Sequence, residues 1–190
     1  MSDKSRLHYL TDRICSEKLY VDDRGNLYGK EYEAYLSYDT GIWQHPLELA
    51  HLLVWLSDKQ IKSFLNIGTF NGLTFNIISS YLRELVPDVD CLSIDYYTFH
   101  NPVKLKGFRY EIMTSDDLLG HTYEWAKKDF INVGQHSRYC IFHDINDKYI
   151  KSMDCGGCAR YYNEIKALYS HHEFIYNVQE VMGIGLLEIN

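Results

Sequence analysis

The run Phe64-Leu65-Asn66-Ile67-Gly68-Thr69-Phe70-Asn71-Gly72, followed 23 residues after Gly72 by Asp95 at the end of Cys91-Leu92-Ser93-Ile94-Asp95, constrains this chain more than any other feature. An apolar strand that runs into a glycine-bearing turn brings backbone close to a ligand, because glycine has no Cβ to hold the ligand away. The helix opening at that turn offers unpaired N–H groups to the same place. An acid at the tip of the following strand is placed to accept hydrogen bonds from ribose hydroxyls. The glycines are spaced Gly-x-x-x-Gly, not Gly-x-Gly-x-x-Gly, which fits a nucleoside ligand lacking a pyrophosphate and weighs against a nicotinamide-dependent oxidoreductase. The plain alternatives are tight strand-to-helix packing for Gly68 and Gly72 and a capping or solvated carboxylate for Asp95.

Around this loop, strands and helices alternate, the pattern of an α/β domain with a mostly parallel sheet covered on both faces. Residues 1–40 are rich in tyrosine and charge, have weak periodicity and contain the turn Asp22-Asp23-Arg24-Gly25-Asn26, and so read as an N-terminal extension or lid before a domain at 41–190. Pro46 at a first helical turn leads into Leu49, Leu52, Leu53 and Leu56, an i, i+3, i+4, i+7 stripe. A strand is predicted at 61–67, a helix at 72–86 burying Leu73, Ile77, Tyr81 and Leu85, and a second strand at 91–94. Later strands are predicted at 108–113, 138–143, 173–178 and 184–189, with a helix at 157–169 that uses Tyr161, Ile165 and Leu168.

Charge and composition narrow the partners. With 26 acidic against 19 basic side chains the formal charge is −7, which repels a phosphate backbone and disfavours a nucleic-acid substrate. No apolar stretch approaches the roughly 20 residues that span a bilayer, and the start Met1-Ser2-Asp3-Lys4-Ser5-Arg6 has no signal-peptide core, so the expectation is a cytoplasmic protein without a membrane partner. Five cysteines at 15, 91, 140, 155 and 158 lack a disulfide-scaffold rhythm, as expected in a reducing compartment. Cys155-Gly156-Gly157-Cys158 has no second ligand pair for a tetrahedral zinc site and reads as a loop feeding a helix. His171-His172 reads as an exposed turn between a helix and a strand.

The loop resembles the first motif of class I S-adenosylmethionine-dependent methyltransferases, in the branch reading acidic-Ile-Gly-Thr-x-x-Gly, and further matches follow the same order along the chain. Gly41-Ile42-Trp43-Gln44-His45-Pro46-Leu47-Glu48 resembles the segment that small-molecule and sugar O-methyltransferases of this branch place before the first core strand. His121-Thr122-Tyr123-Glu124 with Asp129 resembles a Gly-x-His-x-Tyr segment, and Ile141-Phe142-His143-Asp144-Ile145 a later His-Asp strand end. Met182-Gly183-Ile184-Gly185-Leu186-Leu187 resembles the strand that closes the sheet. The resemblance implies a Rossmann-like, mostly parallel sheet with helices on both faces and an antiparallel C-terminal strand. It further implies S-adenosylmethionine as cofactor, held by Asn66, Gly68, Thr69, Gly72 and Asp95, with Ser115 and Asp116 near the adenine. The implied acceptor is a small polar molecule, with sugars among the candidates, and Trp43, Gln44 and His45 stand at its rim.

Two departures qualify these expectations. Asn66 stands where the family usually has a carboxylate, so it brings hydrogen bonding without charge. Only 25 residues separate Asp95 from His121, where the family has room for a third strand, a helix and a fourth strand. That shortening means either a sheet with one strand fewer or residues 108–120 serving two roles. It also keeps open a different class of protein, a cofactor-binding scaffold without turnover.

For chemistry, His121, His143 and Asp144 form the candidate cluster, at strand ends or loop starts on the side where open α/β sheets bind ligands. Methyl transfer to oxygen requires the hydroxyl to lose its proton, so a histidine within reach is an economical general base, His143 first, with a carboxylate beside it to orient the ring. The same trio of imidazoles and carboxylate also suits a divalent ion that acidifies the hydroxyl. A third reading leaves the histidines as strand-end residues bonded to backbone carbonyls.

Overall fold

The computed structural model describes residues 3–16, 44–69, 72–95, 107–112, 122–146, 156–176 and 183–189, and the chain divides into two compact units, 1–116 and 117–190. In the first unit the elements are α1 (Asp3–Ser16), α2 (Pro46–Leu56), β1 (Ser63–Ile67), α3 (Leu73–Leu85), β2 (Asp90–Asp95) and β3 (Arg109–Ile112). The strands form a parallel sheet in the order β1-β2-β3, with Ile67 level with Ile94 and Asp95 level with Ile112. Parallel pairing brings the C-terminal tips of β1 and β2 side by side, and the glycine turn leaves the sheet there.

The hydrophobic patterns account for these elements. Alternation along β1 turns Phe64 and Asn66 to one face, and the register sets them beside Cys91 and Ser93 of β2. Helix α3 covers that face: Phe75 stacks on Phe64 with ring centroids 5.7 Å apart and meets Tyr110 edge-on at 5.2 Å. Leu65 and Ile67, on the other face, are 37% and 40% exposed. Helix α2 has Pro46 at its first turn and buries Leu49, Leu52, Leu53 and Leu56, the predicted stripe. Nothing in weak periodicity announced α1, where Leu10, Thr11 and Ile14 are buried and the helix packs on α2. Arg13 also makes a two-pronged contact with Glu84 of α3 at 2.5 and 2.8 Å. The first part of the predicted N-terminal extension is therefore built into this unit's core, while residues 17–43 lie outside the described residues.

The second unit contains α4 (Tyr123–Asn132), a 3-10 turn at 134–136, β4 (Tyr139–His143), α5 (Gly156–Ile165), a 3-10 turn at 166–168, β5 (Ser170–Phe174) and β6 (Ile184–Glu188). Its sheet runs β4-β6-β5 with both pairings antiparallel, so the C-terminal strand is antiparallel as expected. Phe130, Phe142, Tyr161, Tyr162, Ile165 and Leu187 are buried together as its core. Gly185 is needed because a Cβ there would sit 2.5 Å from the Tyr162 ring. Strand β5 begins earlier than predicted, and His171 and His172 lie within it, level with Leu187 and Leu186. An edge strand with an exposed face tolerates such polar residues, and pairing with the buried β6 decides the conformation.

Six strands are present among the described residues; 96–106 and 113–121, where the shortening falls, lie outside them. No described helix is long and apolar enough to cross a membrane.

Because Leu10 is 1% exposed, Leu10→Ala should cost about 2–5 kcal/mol in urea unfolding of the intact chain. A loss under about 0.5 kcal/mol, the range of ordinary surface substitutions, would show that α1 is not part of the cooperative core.

Candidate functional site

The turn between β1 and α3 is built from two left-handed glycines and a network of side chains below them. Gly68 has φ 87° and Gly72 φ 82°, a region where a side chain is costly. Gly68 N–H donates to the Ile94 carbonyl at 2.9 Å, which extends the β1–β2 ladder one residue past the strand. Thr69 N–H then donates to Asp95 Oδ2 at 2.6 Å, fastening the turn to the tip of β2. Gly72 N–H closes back on the Thr69 carbonyl at 2.8 Å, and the Gly72 carbonyl accepts Asn76 N–H to start α3. Gly72 is thus the N-cap, supplying no side-chain cap to the first helical turn. A Cβ built on Gly68 meets nothing within 4 Å among the described residues, which leave space beside this backbone.

Asn66 takes a position set by two acceptors. Its amide nitrogen donates to the Gly68 carbonyl at 3.0 Å and to Ser93 Oγ at 2.9 Å. Ser93, fully buried, shares a 2.7 Å hydrogen bond with Thr69 Oγ1. Gln44 Oε1 accepts from Thr74 Oγ1 in the first turn of α3, so the segment before α2 is tied to the helix that opens at the glycine turn. His45 is 1% exposed and caps α2, its Nδ1 accepting Leu47 N–H at 3.2 Å. That places Gln44 beside the turn and His45 in the interior. Trp43, Ser115, Asp116 and His121 lie outside the described residues.

In the second unit, β4 ends at His143, and Asp144 turns the chain with φ 56°, the single described non-glycine residue in the left-handed region. Aspartate is among the side chains that occupy this region with least strain. The turn is held by Ile145 N–H on the Gly183 carbonyl at 3.4 Å, Gly183 itself having φ 100°. His143 Nδ1 and Asp144 Oδ2 are 2.8 Å apart, and because an ionised carboxylate can only accept, Nδ1 carries the hydrogen. Burial pulls the His143 imidazole down, but the charge and hydrogen bond of Asp144 outweigh it and raise its pKa above the ordinary histidine value. Among the described residues no group of three or more His, Cys, Asp or Glu side chains could hold a metal ion.

Of the residues gathered in the first unit, Ser93 was missed by sequence reading because a serine within a strand reads as filler. A signal was available: Asn66 stands one residue before the tip of β1 at Ile67 and Ser93 one residue before Ile94, its partner, which puts them level in a parallel pair.

No family model matches the chain, and no curated protein matches it. Among solved structures it is similar to the O-methyltransferase TomG from Streptomyces achromogenes, involved in tomaymycin synthesis and crystallised in complex with SAM. The identity is 15%, all of both chains is covered and the TM-score is 0.57. The likeness establishes the fold alone, α/β and Rossmann-like.

Raised in the folded protein, the His143 pKa implies a stabilising contribution that is complete below the unfolded value of about 6.5 and is lost as pH rises through the folded value. Asp144→Asn keeps a residue that tolerates the left-handed turn but removes the charge. It should lower the His143 pKa in an NMR titration of the ring and flatten the pH dependence of the unfolding free energy above the unfolded value of about 6.5. An unmoved pKa would show that Asp144 does not govern the imidazole.

Proposed function

We propose that the chain is an O-methyltransferase that binds S-adenosylmethionine at the turn between β1 and α3 and methylates a hydroxyl of a small polar acceptor, a sugar being the class to test first. The observation that carries this reading is the fastening of the glycine turn to Asp95, in a fold shared with an O-methyltransferase crystallised with SAM. The residues fit the cofactor: the described residues leave space beside the Gly68 backbone, and a strand-tip carboxylate stands next to it. A carboxylate oxygen that accepts Thr69 N–H has a second lone pair, so Asp95 can hold the turn and accept from ribose hydroxyls together. When bound, the cofactor supplies a sulfonium-activated methyl carbon. Ser115 and Asp116 are assigned to the adenine side on the resemblance, and Trp43 and Gln44 to the acceptor rim as an indole and an amide just before a helix, with His45 following them as the buried cap of α2.

His143 is assigned as the general base and Asp144 as its orienting partner. With Nδ1–H directed at Asp144, Nε2 is the nitrogen that accepts. In that role Nε2 would take the acceptor's hydroxyl proton, and Asp144 would stabilise the resulting imidazolium. The Asp144 carboxylate makes the imidazole the stronger base by raising its pKa. His121 is kept with them as a candidate catalytic residue, and a divalent ion on His143, Asp144 and His121 as the competing mechanism.

His143→Ala should lower kcat by roughly 10²-fold or more with affinity for S-adenosylhomocysteine unchanged, and a chelator should have little effect. Activity that disappears with chelator and returns with a divalent cation would make these residues ligands instead. Asp95→Ala should weaken binding of S-adenosylhomocysteine by about 1.5–3 kcal/mol, the scale of a hydrogen bond to a charged group. Cofactor binding without turnover on any hydroxylated acceptor would favour the scaffold reading, for which the 25 residues between Asp95 and His121 supply the physical reason.

A further inference from the structure

The face of the first sheet beneath α3 carries two rows of different chemistry. The lower row is apolar: Phe64 and Phe108 pack on Phe75, and Cys91 lies level with Phe64. Two residues nearer the strand tips, Asn66, Ser93 and Tyr110 stand level across all three strands. Each of these polar side chains is bonded within the network. The Asn66 amide reaches Ser93 Oγ and the Gly68 carbonyl, Ser93 reaches Thr69 Oγ1, and the Tyr110 hydroxyl donates to Asn76 Oδ1, a fully buried side chain of α3. Asn76 is also the residue whose amide closes the first helical turn on Gly72. The row therefore grips the glycine turn at both ends, at Gly68 and Thr69 where it leaves β1 and at Asn76 where it becomes α3.

A polar row under a helix, with Ser93 and its neighbour Asn76 fully buried and Asn66 and Tyr110 partly so, needs a reason, because apolar side chains of the same volume would pack there without the cost of desolvating hydroxyls and amides. Here, apart from the Asn66–Ser93 bond that links two members of the row, the bonds end on an atom of the turn or on the helix it opens. At Gly68 the donor and acceptor identities are also fixed. The Gly68 carbonyl can only accept, so the Asn66 atom facing it must be the amide nitrogen, and no carboxylate could replace it without setting two acceptors against each other.

We infer that Asn66 and Ser93 are positioning residues of the cofactor loop: Asn66 acts as a donor to the protein, not as a contact to the ligand, and Ser93 relays its hold to Thr69. This inference rests on the assignment of the β1–α3 turn as the cofactor site. It assigns Ser93, 0% exposed, a role in ligand affinity without any contact to ligand. It also gives Asn66 a reason to be an amide: an acid there would break the bond to Gly68.

The test is an NMR comparison of the whole chain with Ser93→Ala and Asn66→Asp, followed by calorimetric titration of each with S-adenosylhomocysteine. Thr69 N–H, bound to a carboxylate at 2.6 Å, should resonate far downfield in the parent. In both variants it should move upfield, and the Gly68 and Thr69 amides should exchange with solvent at least tenfold faster. The amide of Leu82, deep in α3, should be unchanged. Affinity should fall about tenfold or more in each variant. Unchanged Gly68 and Thr69 signals in the folded Ser93→Ala protein would overturn the inference. So would Asn66→Asp binding more tightly than the parent, the result expected if residue 66 met the ligand's ammonium directly. Altered turn signals with unaltered affinity would overturn it as well. If the parent binds no S-adenosylhomocysteine, the cofactor assignment fails, and with it the role in affinity; the exchange data then separately report whether the row holds the turn.

Discussion

The hydrogen bond from the Thr69 amide to the Asp95 carboxylate is the interaction on which the site of the first unit depends. It requires parallel β1 and β2 with their tips aligned, which the Ile67–Ile94 register provides. It also requires Gly68 to turn the chain at positive φ, so that the next amide points across to β2. The magnitudes are of one order. A hydrogen bond to a charged acceptor contributes about 1.5–3 kcal/mol, and a side chain forced into the left-handed region costs about 1–2 kcal/mol. A residue other than glycine at 68 would thus offset much of what the Asp95 bond contributes, so the glycine and the acid form one device.

Much of this device was readable as sequence because its parts are local. The apolar run ending at Ile67, the glycines, the amphipathic helix after Gly72 and the acid at the end of a short apolar strand each follow from period and punctuation. The observed β1, α3 and β2 fall within two residues of the expected bounds. What could not be read depends on partners distant in the chain. Helix α1 alternates charged with apolar residues and gains its definition from packing on α2. Helix α4 buries little beyond Ala126 and Phe130, too narrow a stripe to stand out among its charges. Strand β5 is polar along most of its length and is a strand because β6 offers it a backbone to pair with.

The candidate residues divide in the same way. His143 and Asp144 are neighbours in sequence, so their pairing was foreseeable, but the left-handed turn at Asp144 that accompanies the 2.8 Å contact was not. Gln44 and His45 are also neighbours, yet one reaches the helix that opens at the turn and the other is interior, capping α2. Adjacent polar side chains on an extended stretch point opposite ways, so a motif of consecutive residues seldom delivers all of them to one place. Ser93 illustrates the converse, a residue with no local signature that sits at the centre of a network spanning 27 positions between it and Asn66.

The central claim, that the backbone of the β1–α3 turn is where the nucleoside ligand meets the protein, is tested most directly by following backbone amides of the 15N-labelled parent chain during addition of S-adenosylhomocysteine. The account predicts saturable shifts at Gly68, Thr69 and Gly72 larger than those at Leu82, with none on addition of NAD at the same concentration. Saturable binding that leaves those three amides in place, or an equal response to NAD, would contradict it.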